Sequence, residues 1–430
     1  MSTINRLLAT CAIFSTLLPV SVMAQDSIST VKSRLTIGGY GEAVYNYNFY
    51  SDNVFRYRYA DRYKDAPGHG RIDLPHAVVM LGYDFGKGWT VGTEIEFEHG
   101  GIEAAIEKET EETGEFEHEI ERGGEVTLEQ FWVQKSFSRG LNLRMGHIVV
   151  PVGMTNNNHT PNQFFGVYRP EGENTIIPCT WHETGVSLWG QTDSWRYEIQ
   201  LLPSLNSNIF TEAGWVHNGS ASPYEFRPAN SLATAARIDF TKVKGLRLSL
   251  SGYIGNSFVN DIVTEIYPES SRYFGANGTV VIGAFDFAYR NRWLTVRGNF
   301  DIGYLGDASL ISTRNKNQTT MSGNPYAHSA VGQNAWDASI ETGINLLSTK
   351  HTDRQFYIFC RYDHYDSFVP AAGWTDIEWT ERQIVSVGAN YYPLPEIAIK
   401  AEAGIRLLAE QYNSEPFATI GITWCGFFKH

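Results

Sequence analysis

Three histidines lie close together in the sequence and are of a type that could support hydrolysis or bind a metal. His147, His159 and His182 fall within 36 residues, and Glu183 follows the last of them. A hydrolase needs a nucleophile, a base and an orienting group that converge. The chain contains neither a Gly-x-Ser-x-Gly nucleophile elbow nor a His-Glu-x-x-His metal motif. We therefore interpret these histidines as polar loop and inner-wall groups, and we predict no enzymatic activity, no metal site and no cofactor.

Charged side chains of both signs recur in segments where apolar and polar residues alternate. In the segment 294–304, apolar or small residues occupy the even positions, whereas Arg297, Asn299 and Asp301 occupy odd ones. Because successive side chains of a β-strand point to opposite faces, each set lies on its own face. The charged residues that this parity assigns to one polar face are Glu42, Asp84, Glu94, Glu96, Glu98, Glu198, Asp239, Asp301, Asp337, Glu341, Asp363, Glu402, Arg144, Arg196, Arg237, Arg247, Arg297, Arg361, Lys400 and Arg406. Their signs are nearly balanced, so no ion preference follows.

The same alternation predicts sixteen strands along the chain. They span residues 35–49, 71–86, 88–99, 125–137, 140–152, 183–191, 194–203, 231–241, 245–258, 277–289, 292–305, 335–347, 354–366, 382–392, 396–409 and 415–428. Many exceed the roughly 5–6 residues typical of soluble sheets and fit the roughly 9–11 residues that a tilted strand needs to cross a bilayer. Within 125–137, Glu129 and Lys135 share a face with apolar residues, which indicates either a bulge or a face at a subunit interface.

Short and long connectors alternate between these strands. Short turns such as Gly86-Lys87-Gly88 and Ser138-Arg139-Gly140 alternate along the chain with long connectors. The long connectors are 50–70, 100–124, 153–182, 204–230, 259–276, 306–334 and 367–381. Short periplasmic turns alternating with long external loops are typical of outer-membrane barrels. Many aromatic residues also lie near predicted strand ends, as interfacial girdles require. The predicted fold is therefore all-β: a transmembrane antiparallel β-barrel of about 16 strands, favoured over a secreted β-sandwich or propeller.

The amino-terminal residues have the pattern of an export signal. Arg6 precedes a mostly apolar stretch, and Val22-Met23-Ala24 resembles a cleavage site. We expect a signal peptide at 1–24, a short periplasmic segment at 25–34 and a barrel domain at 35–428, with the mature protein in the bacterial outer membrane. Loss of Arg6 moves the formal charge from −13 to −14, and such an acidic chain is not expected to bind nucleic acid.

Two long connectors differ in composition. Nine glutamates lie between Glu103 and Glu121, which indicates a solvated loop or exposed helix, or else a loop that binds divalent cations beside lipopolysaccharide. The connector 153–182 is instead rich in Asn, Pro, Gly and aromatic residues. Because its apolar residues would be costly in water, we expect this second connector to fold into the barrel and narrow it.

Several motifs around this connector resemble a known family. They are Gly124-Glu125-Val126-Thr127-Leu128-Glu129-Gln130, Arg144-Met145-Gly146-His147, Pro151-Val152-Gly153, Arg169-Pro170, Ile177-Pro178 and Thr180-Trp181-His182-Glu183-Thr184-Gly185. Over about residues 124–190 the chain resembles the phosphate-selective porin O and P family, particularly its Bacteroidetes-type relatives. The resemblance implies a trimeric 16-stranded porin whose third loop constricts the pore. By position it points to Arg144, Arg169 and the loop from Asn156 to Pro178.

The functional prediction is an outer-membrane porin through which small hydrophilic solutes or ions diffuse passively. The candidate pore-lining or constriction residues are Arg144, Asn156, His159, Arg169, Glu94, Glu96, Glu98, Arg237, Arg247, Arg297, Arg361 and Arg406. The expected partners are outer-membrane lipid, lipopolysaccharide and the permeating solutes. Phosphate selectivity stays open, because clustered basic residues favour phosphate and no such cluster appears in the sequence. A barrel-anchored adhesion or structural protein and, less favoured, an outer-membrane hydrolase are the alternatives.

Overall fold

The computed structural model describes residues 34–99, 105–109, 117–121, 126–222, 226–260, 269–317 and 327–429. The predicted signal peptide lies outside the described residues, as do parts of four long connectors. The secondary structure of the described residues is almost entirely strand, with a few short helices.

Seventeen strands form one antiparallel sheet that closes on itself. The strands of this sheet are β1 Leu35–Asn48, β2 His69–Asp73, β3 His76–Gly86, β4 Trp89–Glu98, β7 Val126–Ser138, β8 Leu141–Val149, β9 His182–Gln191, β10 Trp195–Pro203, β11 Leu232–Phe240, β12 Leu246–Asn256, β13 Thr279–Arg290, β14 Leu294–Leu305, β15 Asn334–Asn345, β16 Gln355–Val369, β17 Glu381–Leu394, β18 Ile397–Leu407 and β19 Glu415–Lys429. Two further strands, β5 Ala105–Glu109 and β6 Glu117–Glu121, pair only with each other.

The barrel wall has sixteen strand positions, because β2 and β3 occupy one position and are separated by a break. Both pair with β1, β2 against its carboxyl half and β3 against its amino half. Leu74-Pro75 lies between them, and proline has no N–H to donate to a neighbouring strand. Closure comes from β1 and β19, which pair from Thr36↔Lys429 to Asn48↔Phe417. The predicted antiparallel barrel of sixteen strands is therefore confirmed.

Burial alternates along the strands of the barrel, as the alternation in the sequence predicted. In β10, the side chains of Trp195, Tyr197 and Ile199 are exposed on the outer surface, whereas Arg196 and Glu198 are buried inside. The outer surface consequently carries a continuous belt of exposed Leu, Ile, Val and aromatic side chains. A belt of this kind is stable when lipid covers it, because water would solvate it poorly.

Among the described residues, short helical segments occur only in connectors. The α-helices are α1 Ala60–Tyr63, α2 Glu171–Ile176 and α3 Ala308–Asn317, and 3₁₀ turns span Val54–Arg56, Ser207–Ile209 and His217–Ser220. In the described part of the chain, none of the helices combines the length and the apolar character needed to cross a membrane. Of these helices, α2 and α3 contribute buried residues to the molecule.

The connectors are built as their lengths suggest. The turn between β3 and β4 is tight because Gly86, Lys87 and Gly88 all adopt positive φ, a conformation that glycine accepts without steric cost.

In the acidic connector, β5 and β6 form a two-stranded ribbon with Ala105 opposite Glu121 and Glu109 opposite Glu117. Because these two segments are extended and paired, the expectation of an exposed helix was wrong for them. That the connector is solvated stays a prediction.

An apolar core lies inside the barrel, at the end where the long connectors leave it. Trp181, Leu205, Phe210 and Trp215 are fully buried there, and they pack with inner-wall side chains such as Tyr253. The connectors 153–182 and 204–222 thus fold inward together, and Ile311 of α3 joins the same cluster. Burial of this apolar surface holds the connectors against the wall of the barrel.

Candidate pore constriction

Asparagine side chains close the base of the connector 153–182, which we call the inner loop. The Asn156 amide nitrogen donates to the backbone carbonyls of Val152 and Pro178, and its oxygen accepts from the Trp181 N–H at 2.7 Å. Asn157 and Asn158 donate to the carbonyls of the residues four positions before them. Since these backbone groups are buried, the asparagines satisfy donors and acceptors that would otherwise lack partners.

One lysine of β18 binds the tip of the inner loop. The Lys400 ammonium group is completely buried and donates to the backbone carbonyls of Pro161, Phe164 and Gly166, the last two at 2.8 and 2.9 Å. It also lies over the Phe164 ring at 4.3 Å from the centroid. Three carbonyl oxygens around one ammonium group use its full donor capacity, so Lys400 fixes the backbone of the loop tip.

Carboxylates of neighbouring strands bind the same segment. The backbone N–H of Phe165 donates to Glu341 and that of Val167 donates to Glu402, each at 3.0 Å. The Phe165 ring stacks on Phe359 with centroids 5.4 Å apart. Strands β15, β16 and β18 therefore hold the loop tip by ionic, polar and aromatic contacts at once.

Arginines of β11 and β12 hold the beginning of the inner loop. Arg237 donates to the Gly153 carbonyl at 2.9 Å and pairs with Asp239 and Asp286. Arg247 donates to the Asn158 side chain at 3.1 Å and also contacts Asp286. The loop thus follows the inner wall from β11 round to β18, as its composition predicted. That it sets the size limit for solutes stays a prediction.

Two glutamates of α2 lie in different electrostatic surroundings. Burial opposes ionisation of Glu171, but the guanidinium groups of Arg406 and Arg382 hold its pKa below the usual value. Glu173 has no such partner among its hydrogen bonds: its carboxylate accepts from the backbone N–H and the hydroxyl of Thr155. Burial consequently raises the pKa of Glu173 to about 7.

Most of the predicted basic residues are paired with acids rather than free. Arg297 pairs with Glu341, Arg361 pairs with Asp363 and Glu402, and Arg406 pairs with Glu171. Arg144 is also buried, 4.4 Å from the Trp132 ring centroid, and donates to the Gln134 amide oxygen. The basic groups of these arginines are therefore bound to other side chains of the protein.

The acidic candidates of β4 lie at a different part of the wall. Glu94 and Glu96 are buried, whereas Glu98 at the strand end is half-buried. His76 of β3 contacts the Glu96 carboxylate at 2.5 Å through Nδ1. Arg169 of the inner loop is half-buried, acts electrostatically on Glu96, and donates to the His159 carbonyl at 3.4 Å.

A β-bulge brings a further carboxylate to this cluster. Between β4 and β7, Glu94 pairs with Gln130 while the next residue, Ile95, pairs with Leu128. Glu129 is therefore the extra residue of a bulge, and its side chain turns inward, where it is buried. Of the two interpretations of this strand, the bulge is confirmed. Lys135 remains outside and lies 5.2 Å from the Trp89 ring centroid.

The three histidines do not converge on one site. His147 and His182 contact each other at 2.6 Å on the outer face, in register with outward-facing residues of β8 and β9. His159 is inside the barrel, where Nδ1 bonds the Asn156 carbonyl at 3.0 Å and burial lowers its pKa. The placement of all three as inner-wall or loop groups was therefore wrong for His147 and His182.

Sequence reasoning missed some contributors to this region. The second inward connector, which contains Trp215, was not distinguished from the external loops, although its Leu205, Phe210 and Trp215 are apolar residues in a long connector. That composition was the available signal. The role of Lys400 in binding carbonyls had no sequence signal, because it depends on where the loop tip lies.

Known structures share this architecture. The anion-selective porin from Comamonas acidovorans has a TM-score of 0.52 at 10% identity, covering 91% of this chain and 99% of its own. The outer membrane channel DcaP of Acinetobacter baumannii also has a TM-score of 0.52 at 10% identity, with 94% and 100% covered. Salmonella typhi OmpF in complex with daunomycin has a TM-score of 0.50 at 9% identity, with 91% and 97% covered.

Sequence comparison identifies no family for this chain. No family model matches the chain. An uncharacterized protein of Aquifex aeolicus (strain VF5) is 26% identical over 414 residues, which are 93% of this chain and 82% of that protein. The resemblance to the phosphate-selective porin O and P family is thus not confirmed. What the structural likeness establishes is the fold: this chain is a sixteen-stranded barrel of the kind found in outer-membrane porins.

Proposed function

We propose that this protein is an outer-membrane porin through which small hydrophilic solutes or ions diffuse passively. The observation that carries the proposal is the inner loop, which is bound along the inner wall of a barrel with polar inner side chains. A loop held in this way narrows the passage but, unlike a separate plug domain, does not close the barrel. Solutes would then be selected mainly by size as they pass the inner loop.

Ion preference follows from the pairing of charges. In the part of the chain that the structure describes, the arginines of β11, β14, β16 and β18 each contact a carboxylate. A strongly phosphate-selective pore would instead present several unpaired basic groups to the solute. We therefore propose a channel of weak selectivity, although the family resemblance suggests passage of anions.

Catalysis is not part of the proposal. The histidine pair on the outer surface is separated from His159 by the barrel wall, so the arrangement lacks the convergence that a hydrolase requires. We further propose export through a cleaved signal peptide, contact with lipopolysaccharide at the external loops, and assembly as a homotrimer. The trimer rests on the family resemblance alone.

Single-channel recording in a planar bilayer tests this function. The wild-type protein should give stable open steps, and replacing residues 157–175 with a short Gly-Ser linker should increase the conductance. A matched control replaces the exposed residues 349–354 of the turn between β15 and β16 and should leave the conductance unchanged. Folding of each variant is checked by heat-modifiable electrophoretic mobility.

The outcomes separate the alternatives. A folded, inserted protein without conductance would overturn the open channel and favour an adhesion or structural role. Equal conductance in the wild type and the loop replacement would show that the passage is limited elsewhere. The reversal potential under a salt gradient would show whether acids or bases dominate the passage.

A further inference from the structure

Two unsatisfied ligand atoms face each other inside the barrel, beside the inner loop. Among the residues that the structure describes, His159 Nε2 and Glu94 Oε1 are buried and have no hydrogen-bond partner. They are 3.9 Å apart, which is too far for a hydrogen bond. Both residues are 3% exposed. Leaving two such atoms without partners is costly unless something lies between them.

A third potential ligand completes the group. One carboxylate oxygen of Glu129 lies with His159 Nε2 and a Glu94 oxygen so that all three atoms are within 4.8 Å of one another. Glu129 is 2% exposed and reaches this position only because of the bulge in β7. Ligands bound tetrahedrally at Zn²⁺ distances of about 2.0–2.2 Å are about 3.4 Å apart, so small side-chain movements would bring these atoms to binding distance.

The surrounding groups orient the three ligands. Nδ1 of His159 bonds the Asn156 carbonyl, which places the proton on Nδ1 and leaves the Nε2 lone pair free. Gln130 donates to the other oxygen of Glu94, and the Tyr40 hydroxyl donates to Glu129 at 3.4 Å. Such hydrogen bonds to the outer atoms of ligands are typical of metal sites.

The local charge favours a divalent cation. Four buried carboxylates, those of Glu42, Glu94, Glu96 and Glu129, interact electrostatically in this region. The cationic groups that act most strongly on Glu42 are Lys400, which is buried, and Arg169, which is half-buried. Carboxylates outnumber the cationic groups here, so a divalent ion would reduce the repulsion between them.

We propose that His159, Glu94 and Glu129 bind a divalent transition-metal ion of the zinc class. Imidazole nitrogen and carboxylate oxygen are both donors that such an ion accepts, and three protein ligands leave a fourth position for water. A cavity of about 70 Å³, lined also by Gln130 and Trp132, borders Glu94. Because Glu94 and Glu129 belong to β4 and β7, the ion would tie the inner loop to that part of the wall.

Metal titration of the full chain, purified from membranes and treated with chelator, tests the proposal. Zn²⁺ or Co²⁺ should bind with one ion per chain, and Co²⁺ should develop visible d–d absorption typical of mixed nitrogen and oxygen ligands. Mg²⁺ should not compete, because it binds poorly to imidazole. Calorimetry and elemental analysis give the stoichiometry.

Two variants localise the ion. His159→Gln and Glu129→Gln should each weaken Zn²⁺ binding by roughly 100-fold or more, since even the loss of a hydrogen-bonded outer group costs about 10–100-fold. His182→Gln, on the outer face, is the matched control and should bind like the wild type. Circular dichroism and heat-modifiable mobility confirm that the variants are folded.

The wild-type titration decides the matter even if a variant misfolds. Failure of the chelator-treated wild type to bind Zn²⁺ or Co²⁺ would overturn the proposal and indicate that the carboxyl groups share protons instead. Binding that His159→Gln leaves intact but His182→Gln abolishes would move the site to the outer surface and overturn it as well. The metal-binding test does not depend on the proposed porin function. Only an effect of the metal on conductance would depend on that function.

Discussion

Replacing Lys400 with methionine should release the tip of the inner loop. The substitution keeps the length and apolar stem of the side chain but removes the ammonium group that binds the carbonyls of Pro161, Phe164 and Gly166. Each buried carbonyl left without a donor costs about 1–3 kcal/mol. The three together should disfavour the docked loop by about 3 kcal/mol, after allowing for the ammonium group that no longer needs to be desolvated.

The loss can be measured as local opening. A change of about 3 kcal/mol shifts the equilibrium between docked and released loop by roughly 100-fold. Amide hydrogen exchange of residues 159–167 should accelerate by up to that factor, while exchange within β18 changes little. If the loop limits the passage, single-channel conductance should also rise and become noisier, and larger sugars should enter proteoliposomes.

A lysine in an exposed turn supplies the control. Lys350 is exposed between β15 and β16, so Lys350→Met should leave exchange and conductance at the wild-type values. Unchanged exchange at residues 159–167 in folded Lys400→Met would refute the reasoning, because it would mean that the carbonyls do not depend on the ammonium group. Faster exchange with unchanged conductance would keep the anchor but reject the loop as the size limit.

Three further predictions follow from the same region. The pKa of Glu173 is raised from 4.5 to about 7 in the folded protein, so the docked loop holds an extra proton between these pH values. Its amides should therefore lose protection against hydrogen exchange as pH rises from about 5 to 8. Glu173→Gln should remove this dependence, and hydrogen exchange that does not change with pH in the wild type would contradict it. Asn156→Ala leaves two carbonyls and one N–H unsatisfied and should destabilise the loop base by about 2–4 kcal/mol, seen as faster limited proteolysis within 153–182; equal cleavage rates would argue against it. Arg361→Gln leaves Asp363 and Glu402 without their basic partner and should shift the reversal potential toward cation preference, whereas an unchanged potential would place these groups away from the ion path.

The architecture could be predicted from the sequence because it depends on local, periodic information. A period of two assigns each side chain to one face, so β10 and β14 were recognisable from their own residues. Alternating connector lengths gave the direction of successive strands. The acidic connector was harder, since its ribbon of β5 and β6 has too few apolar residues to show a strand pattern.

The candidate site was only partly predictable. Parity placed Glu94, Arg237 and Arg361 on the inner face, and composition indicated that the inner loop folds inward. Parity could not show that the arginines would be paired with acids, since the partners lie on other strands. Parity with Arg144 puts His147 on the outer face, and only its polar side chain led to its interpretation as an inner-wall or loop group.

The sequence by itself thus determined the barrel, its strand count and the inward direction of one loop, because these follow from side-chain alternation and from the cost of exposing apolar residues. The tertiary structure decided how distant residues meet. Glu129 turns inward only because the register between β4 and β7 shifts by one residue. His159 approaches Glu94 only because Asn156 and Lys400 fix the loop at both its base and its tip. Such contacts depend on the closure of the whole barrel, which no local pattern encodes.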